Sequence, residues 1–497
     1  MREFLSVIKE YATRDFIYFF SQKSIEMYNK QLEPSDDEIK GSMTFVLNAN
    51  LPRSFYKNAQ VMLPAWEIQD IAYLSIVNAN DYRKKIMCEV DAGSVVNQYR
   101  KYENDYTGER YERDAKGENI FKYLVGMTYE QFNYQNLAWT FQNFNRNYHI
   151  LLASKSICRE KIINICDVTK EIFDLNVDEF LTLELILWWL CSQDPTPLNI
   201  PEQVYKKSET SILTKENIEK LIDYYSVTYA EVRESSLKKQ IFYGKPFVVT
   251  QKTKEKIAVN FYLIQMLMGD GMYWLIRDYY QNHNKGLEFL NAFGEMFEDY
   301  FEELASHFLP ENSWHKIPVQ KKKSADYFVE VENAVLLFEL KSGLLGIGAK
   351  QQTPDVQQID NFYNRNIKEA YGQLKESEKQ YKGDKPVIKI LLLYENLTNT
   401  QIIMSSMTEI FLEERRCYIM TIQDWEMLLT AYMKSKKEFD QIIDVLVNNQ
   451  NSLIHYETVL NVLREQKALD NVYFENERNY FSKTMERMAN ELGIEMD

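Results

Sequence analysis

The chain has 497 residues, of which 45% are hydrophobic, 14% aromatic and 26% charged, with 34 tyrosines and 27 phenylalanines. That length exceeds one ordinary core, so two or three folded domains are expected, and the apolar content excludes disorder for most of the chain. A net charge of −15 excludes a protein that coats nucleic acid through a generally basic surface, while leaving room for a local basic groove.

The N-terminal stretch MREFLSVIKEYATRDF is charged and amphipathic, with no apolar signal core and no small-residue cleavage site, so a cytoplasmic location is expected. The longest apolar run, Phe180 to Cys191, is about a dozen residues with Glu184 inside it, short of the roughly 20 that a membrane-spanning helix needs. It reads as a buried helix, and its Trp188 and Trp189 read as core. From residue 1 to about 285 the pattern is mainly helical, with apolar residues three and four apart in LTLELILWWLC, TKENIEKLIDYYSVTYAEV and KIAVNFYLIQMLMGDGMYWLIRDYY. Breaks are expected at 33–42, 100–119 and 192–203, where Pro, Gly and charge interrupt the pattern. No short motif in this half carries chemistry, and no fixed-period repeat is present. The five cysteines (Cys88, Cys158, Cys166, Cys191, Cys417) lack CxxC or Cys/His ligand spacing, so reduced, mostly buried thiols are expected rather than disulfides or a zinc site. The five histidines form no HExxH-type cluster either.

The texture changes near residue 285. A helix is expected from Leu287 to Phe308, followed by the short β-rich runs WHKIPVQ, ADYFVEV and AVLLFELKSG. After Lys341 come a polar loop, a helical pattern from about Ile359 to Tyr381, the strand PVIKILLLYE and the weaker strand RCYIMTI. The order is α-β-β-β-α-β-α-β, and the chain turns helical again beyond about residue 422.

The segment SADYFVEVENAVLLFELKSG, residues 324–343, reads as two strands joined by a tight turn at Glu332-Asn333. With a two-residue turn, antiparallel pairing puts Asp326 directly across from Glu339. Side chains alternate along a strand, so Lys341 shares that face. Two carboxylates in an apolar sheet repel each other and resist ionisation. A divalent cation relieves both penalties, and oxygen-only donors select a hard one, Mg2+ or Mn2+, held by Asp326, Glu339 and the backbone carbonyl of Leu340. A phosphodiester oxygen would complete the shell, while Lys341 would orient or deprotonate the attacking water and offset transition-state charge.

This segment resembles the PD-(D/E)XK nuclease superfamily of restriction-endonuclease-like fold, in which an acidic residue on one strand and an acid-x-Lys triplet on the next form the site. Asp326 matches the motif aspartate and Glu339-Leu340-Lys341 the triplet. Upstream, GEMFEDYFEEL resembles the family's first core helix, whose glutamate follows an aromatic residue and maps onto Glu298. Gln373 in EAYGQL matches the polar residue that many members carry on the helix after the triplet strand. Ala325 stands in place of the name-giving proline, and no tyrosine follows Gln373 at the fourth position.

The resemblance covers residues 286–430. It implies a mixed α/β core (αβββαβαβ) there, between a large, mainly helical N-terminal region (1–285) for recognition or regulation and a helical tail (431–497). It implies an Mg2+- or Mn2+-dependent endonuclease acting on DNA, in prokaryotic restriction or anti-phage defence, with Glu298 as a further metal ligand and Gln373 as a further site residue. No membrane partner is expected, and a homodimer or higher oligomer would supply the two sites that cutting both strands requires. The alternative is a non-catalytic nucleic-acid-binding or scaffolding protein built on a relic of the fold.

A Glu-x-Lys triplet alone means little, since Glu38-Ile39-Lys40 and Glu465-Gln466-Lys467 repeat it. What distinguishes residues 339–341 is the apolar strand before them, the mirrored aspartate, the upstream Phe-Glu helix and the downstream helix-strand pair. Glu298 shares its helix with Glu295, Asp299, Glu302 and Glu303, so a solvated acidic face competes with a site role, and Glu295 and Glu302 are its substitutes. Lys321, Lys322 and Lys323 read equally as phosphate contacts or as a charged loop tip.

Overall fold

In the N-terminal half, helices form where apolar residues recur three and four apart. The computed structural model describes residues 2–32, 41–47, 60–115, 117, 119–132, 137–153, 163, 165–199, 205, 211–318, 323–395, 400–449, 451–452 and 455–495. The helices Thr13–Leu32, Val177–Gln193 and Phe261–Asn282 pack their apolar faces into one core. Val177–Gln193 starts at a capping box, in which the Asn176 side chain accepts from the Glu179 amide and Glu179 accepts from the Asn176 amide. It carries the apolar run at 180–191, and Glu184 is buried with it, accepting a hydrogen bond of 2.9 Å from the Tyr225 hydroxyl. Trp188 and Trp189 are half-buried at its end, with Trp188 stacked on Phe261. Among the described residues no helix is long and apolar enough to cross a membrane.

The charged tract at 100–119 breaks the helical pattern only at its end, because a single helix runs from Glu89 to Asp114 and the next begins at Asn119. Glu, Lys and Arg are strong helix formers and one Gly108 costs about 1 kcal/mol, so charge here marks a solvent face. The segment beginning TKENIEKL is likewise not one helix. It divides into a helix Lys215–Tyr224, a strand Ser226–Thr228 and a helix Tyr229–Glu234, because the Thr228 and Glu231 side chains form a second capping box that starts the chain afresh. Of the other expected breaks, residues 33–40 and 200–204 lie outside the described residues, while the Val177–Gln193 helix ends where the third begins. Cys191 and Cys417 are buried, but Cys88 and Cys166 are exposed, since both sit at helix starts that face solvent; none of the four is in a disulfide, and Cys158 lies outside the described residues.

Among the described residues the strands build three sheets. β1 (Ser42–Val46) and β2 (Gln60–Pro64) pair with each other, and β3 (Ser226–Thr228), β4 (Phe247–Val249) and β5 (Lys256–Ala258) form a second small sheet. β6 (Trp314–Lys316), β7 (Tyr327–Glu330), β8 (Val335–Lys341), β9 (Val387–Leu393) and β10 (Cys417–Thr421) form a five-stranded sheet in the order β10-β9-β8-β7-β6. The architecture is therefore mixed α/β. β8, β9 and β10 run parallel, whereas β7 is antiparallel to both of its neighbours.

β9 is buried throughout and β8 up to Lys341, as strands covered on both faces must be. On one face lie the helices Gly286–Phe308 and Ile422–Lys434, where Phe301 meets Tyr327 at 4.5 Å, Phe338 at 5.1 Å and Trp425 at 5.7 Å between ring centroids. On the other lies the helical stretch from Val356 to Gln380, with a π turn at Asn364–Lys368. Ser377 on this stretch accepts from the Ala325 amide at 2.8 Å.

One hydrophobic core extends from Phe4 to Met488, so residues on both sides of 285 and of 430 share it. Within it Arg146 grips Glu426 through two hydrogen bonds of 2.7 Å, and Tyr300 (2.6 Å) and Asn471 (2.7 Å) donate to the same carboxylate. Such a pair ties the N-terminal half to the sheet, and removing one partner typically costs about 3–5 kcal/mol because the other charge stays buried.

Burial also pushes the Glu184 carboxyl from 4.5 up to about 8. The folded chain then holds a proton that the unfolded chain releases above its ordinary value, so this group's contribution to stability is fullest below about pH 4.5 and is lost as pH rises toward 8. Glu184→Gln should flatten the decline of melting temperature between pH 5 and 9 and be the more stable protein at pH 9, by on the order of 2 kcal/mol. Thermal melts of both proteins across that range check it, and parallel profiles would rule it out.

Candidate active site

The hairpin of β7 and β8 turns where the sequence suggests, with the Val331 amide donating to the Ala334 carbonyl at 3.0 Å. Tyr327 pairs with Phe338, Phe328 with Leu337, Val329 with Leu336 and Glu330 with Val335, which is the register that a two-residue turn dictates. At Asp326 the strict ladder ends. Its amide donates to the Phe338 carbonyl at 2.8 Å, so Asp326 and Tyr327 together face Phe338 across a bulge. Asp326 is thus displaced from the position directly opposite Glu339 that plain alternation assigns to it. Its carboxylate instead crosses to β8 and accepts from the Leu340 amide at 2.8 Å.

Lys341 Nζ lies 2.8 Å from Glu339 Oε1, and the Gln373 side-chain amide donates to that same oxygen. Gln373 arrives from the Glu369–Gln380 helix, which packs on this face of the sheet. Glu298 reaches the rim from the Gly286–Phe308 helix, where it ion-pairs with Lys316 of β6, and its charge acts on Asp326. Glu339, Lys341 and Gln373 are therefore in direct contact, Asp326 acts on Glu339 through its charge, and Glu298 stands outside that contact set, paired with Lys316. Glu302 is engaged elsewhere, accepting from the Tyr327 hydroxyl at 2.9 Å, and Glu303 takes His149. Lys323 is exposed and its charge acts on Glu339, whereas Lys321 and Lys322 lie outside the described residues.

The electrostatics follow from depth. Glu339 is 2% exposed, and burial, reinforced by the Asp326 charge and only partly offset by Lys341, pushes its carboxyl up to about 8. Burial also raises Asp326, opposed by the Leu340 amide and helped by Glu298. Glu339 Oε2 is buried without a hydrogen-bond partner, an expensive condition for a carboxylate oxygen. The Leu340 amide points toward Asp326, and an extended residue directs its N–H and C=O to the same edge, so the Leu340 carbonyl faces that side too. An unpartnered carboxylate oxygen, a second carboxylate and a strand-end carbonyl make an all-oxygen donor set that fits Mg2+ or Mn2+. Among the described residues no three acidic, His or Cys side chains are gathered as a ready-made cage. Lys341, the Leu340 amide and Lys316 each hold one of the three carboxylates, which keeps them apart.

Sequence reasoning missed what holds the loop between Lys341 and the helix that starts at Val356. Glu395, buried at the end of β9, accepts from Lys350 (2.8 Å) and from the Leu345 amide (2.6 Å). Farther along, Gln351 bonds to Gln240 at 2.9 Å, Gln352 to Glu103 at 2.7 Å and to Glu130, and Thr353 to Arg110 at 3.0 Å. A Cβ on Gly126 would lie 2.3 Å from the Gln351 carbonyl oxygen, so only glycine admits the loop at that point. The contacts of Gln351, Gln352 and Thr353 join residues more than a hundred positions apart, and no local pattern announces them.

Comparison of the chain with family models, with curated proteins and with solved structures returns no match. The chemistry therefore rests on the residues themselves. A cation entering here must displace the proton that Glu339 holds up to about pH 8, so its binding strengthens as pH rises. Titrating Mg2+ should raise the melting temperature of the wild type more at pH 8 than at pH 6, and should leave Glu339→Gln unmoved at both. Equal rises in the two proteins would remove Glu339 from the ligand set.

Proposed function

We propose that this chain is an Mg2+- or Mn2+-dependent endonuclease of restriction-endonuclease-like fold that hydrolyses phosphodiester bonds in DNA. One observation carries the reading: at the end of β8, Glu339 has one oxygen shared by Lys341 and Gln373 and the other buried without a partner, beside the Asp326 carboxylate. The sequence of elements around the sheet supports it, since a helix, β6–β8, a helix, β9, helices and β10 follow in the αβββαβαβ order. DNA as substrate, and a role in prokaryotic restriction or anti-phage defence, follow from the family likeness and not from the geometry.

Asp326, Glu339 and the Leu340 carbonyl would hold the cation, with Glu298 at the rim. When bound, it would polarise the phosphoryl group and make water a better nucleophile at neutral pH. Lys341 has the position to orient the attacking water and to oppose the negative charge that builds on phosphorus. Gln373 fixes the Glu339 rotamer by holding the oxygen that Lys341 also contacts.

With plasmid DNA and Mg2+, the wild type should nick or linearise the substrate and EDTA should stop it. Lys341→Ala should lower the rate on the order of 10²–10³-fold with metal binding retained, whereas Asp326→Asn should lose both. Gln373→Ala should cost less, about tenfold, because it acts through Glu339. Equal behaviour of the wild type and Lys341→Ala would favour the non-catalytic, nucleic-acid-binding reading.

A further inference from the structure

We propose that Ser377 is a positioning residue for Asp326, holding the backbone before it in the bulge so that one helix face sets both carboxylates of the candidate site. The inference rests on the nuclease reading above. Gln373 and Ser377 are four residues apart on the Glu369–Gln380 helix, which puts them one turn apart on the same face. Gln373 reaches Glu339 on β8, and the Ser377 hydroxyl oxygen accepts from the Ala325 amide, one residue before Asp326, at 2.8 Å. Both ends of this bond are out of water, with Ser377 6% and Ala325 1% exposed.

The bond is not what a helical serine ordinarily makes. Such hydroxyls donate back to their own helix, as Ser306 does to the Glu302 carbonyl and Ser405 to the Gln401 carbonyl. Ser377 instead takes an N–H from a segment 52 positions away in sequence. A proline at 325 has no N–H to give, so the bond needs another residue there. The helix is itself fixed beside Ser377, because Lys389, 2% exposed in the otherwise apolar β9, lies 2.7 Å from Glu378 and 3.2 Å from Glu414. The Ser377 oxygen therefore stands at a defined height over the sheet.

What this anchor controls is the aim of Asp326. The Asp326 amide goes to the Phe338 carbonyl and its carbonyl receives the Ile317 amide, both at 2.8 Å, so β8 and the end of β6 grip the residue from either side. In a bulge two consecutive residues face one, and without a hold on the N-terminal side the strand can slide back toward plain pairing. Ser377 supplies that hold. In the bulged geometry the Asp326 carboxylate meets the Leu340 amide at 2.8 Å and its charge reaches Glu339. Loss of the Ser377 oxygen orphans a buried N–H and frees Asp326 to shift.

Hydrogen exchange of the full chain in EDTA, resolved at the Leu340 amide, tests the positioning without metal or activity. In Ser377→Ala that amide should exchange about tenfold faster than in the wild type, while the amides of the turn at 331–334 exchange as before. The double variant Ser377→Ala/Asp326→Ala should exchange no faster there than Asp326→Ala alone, because one residue acts through the other. Ser377→Cys, close in size with a sulfur that accepts weakly, should fall between, and it replaces Ser377→Ala if that protein melts early. Calorimetry with Mg2+ at pH 8 should show Ser377→Ala binding about tenfold more weakly than the wild type. Unchanged exchange at Leu340 in both Ser377 variants, or unchanged Mg2+ affinity in a Ser377→Ala that exchanges faster, would overturn the proposal and leave Ser377 as the partner of one buried amide. A wild type that takes up no Mg2+ while Leu340 responds as expected would overturn the nuclease reading and support the hold of Ser377 on Asp326.

Discussion

Glu339 lies at the C-terminal end of β8 with 2% of its surface exposed, and a carboxylate withdrawn from water to that depth costs several kcal/mol unless its neighbours replace the lost hydration. Here they replace it on one side only. Oε1 receives Lys341 and Gln373, while Oε2 has no hydrogen-bond partner among the described residues and the Asp326 charge acts on the group. The protein therefore keeps a destabilising group at the point where its sheet is otherwise almost wholly apolar. Groups with such perturbed ionisation, set among specific charged partners, concentrate where chemistry is done.

The bulge at Asp326 serves the same arrangement. In a regular ladder the aspartate would sit fixed across from Glu339, carboxylate beside carboxylate. By letting two residues face Phe338, the strand re-aims Asp326 so that its carboxylate takes the Leu340 amide and approaches the end of β8 rather than its flank. The Gly286–Phe308 helix then completes the rim with Glu298 while burying its aromatic face on the sheet.

The large N-terminal half is not an appendage to this core. Arg146 enters the Glu426 carboxylate cluster under the sheet, and Glu103, Arg110, Glu130 and Gln240 grip the loop that follows Lys341. A change in the packing of those helices would reach the candidate site through that loop, because the chain between Lys341 and Asp355 has its polar groups bonded to them and to Glu395.

Much of the C-terminal half was legible in the residue pattern. The five strands from Trp314 to Thr421, the turn at Glu332-Asn333 and the facing of Glu339 with Lys341 follow from alternation and turn length, which are local properties. Fine structure in the N-terminal half was less so. The run at 100–119 looked like a linker because charge is common to linkers and to solvent faces, and only packing distinguishes them. The sequence spacing of the residues named for chemistry contained neither the bulge at Asp326 nor the pairing of Glu298 with Lys316. By itself the sequence determined the strands from Trp314 to Thr421 and the shared face of Glu339 and Lys341, because a two-residue period leaves no freedom there. Tertiary structure alone decided how deep Glu339 lies and which helices clamp the loop after Lys341, because burial and contact between distant segments depend on how whole elements pack.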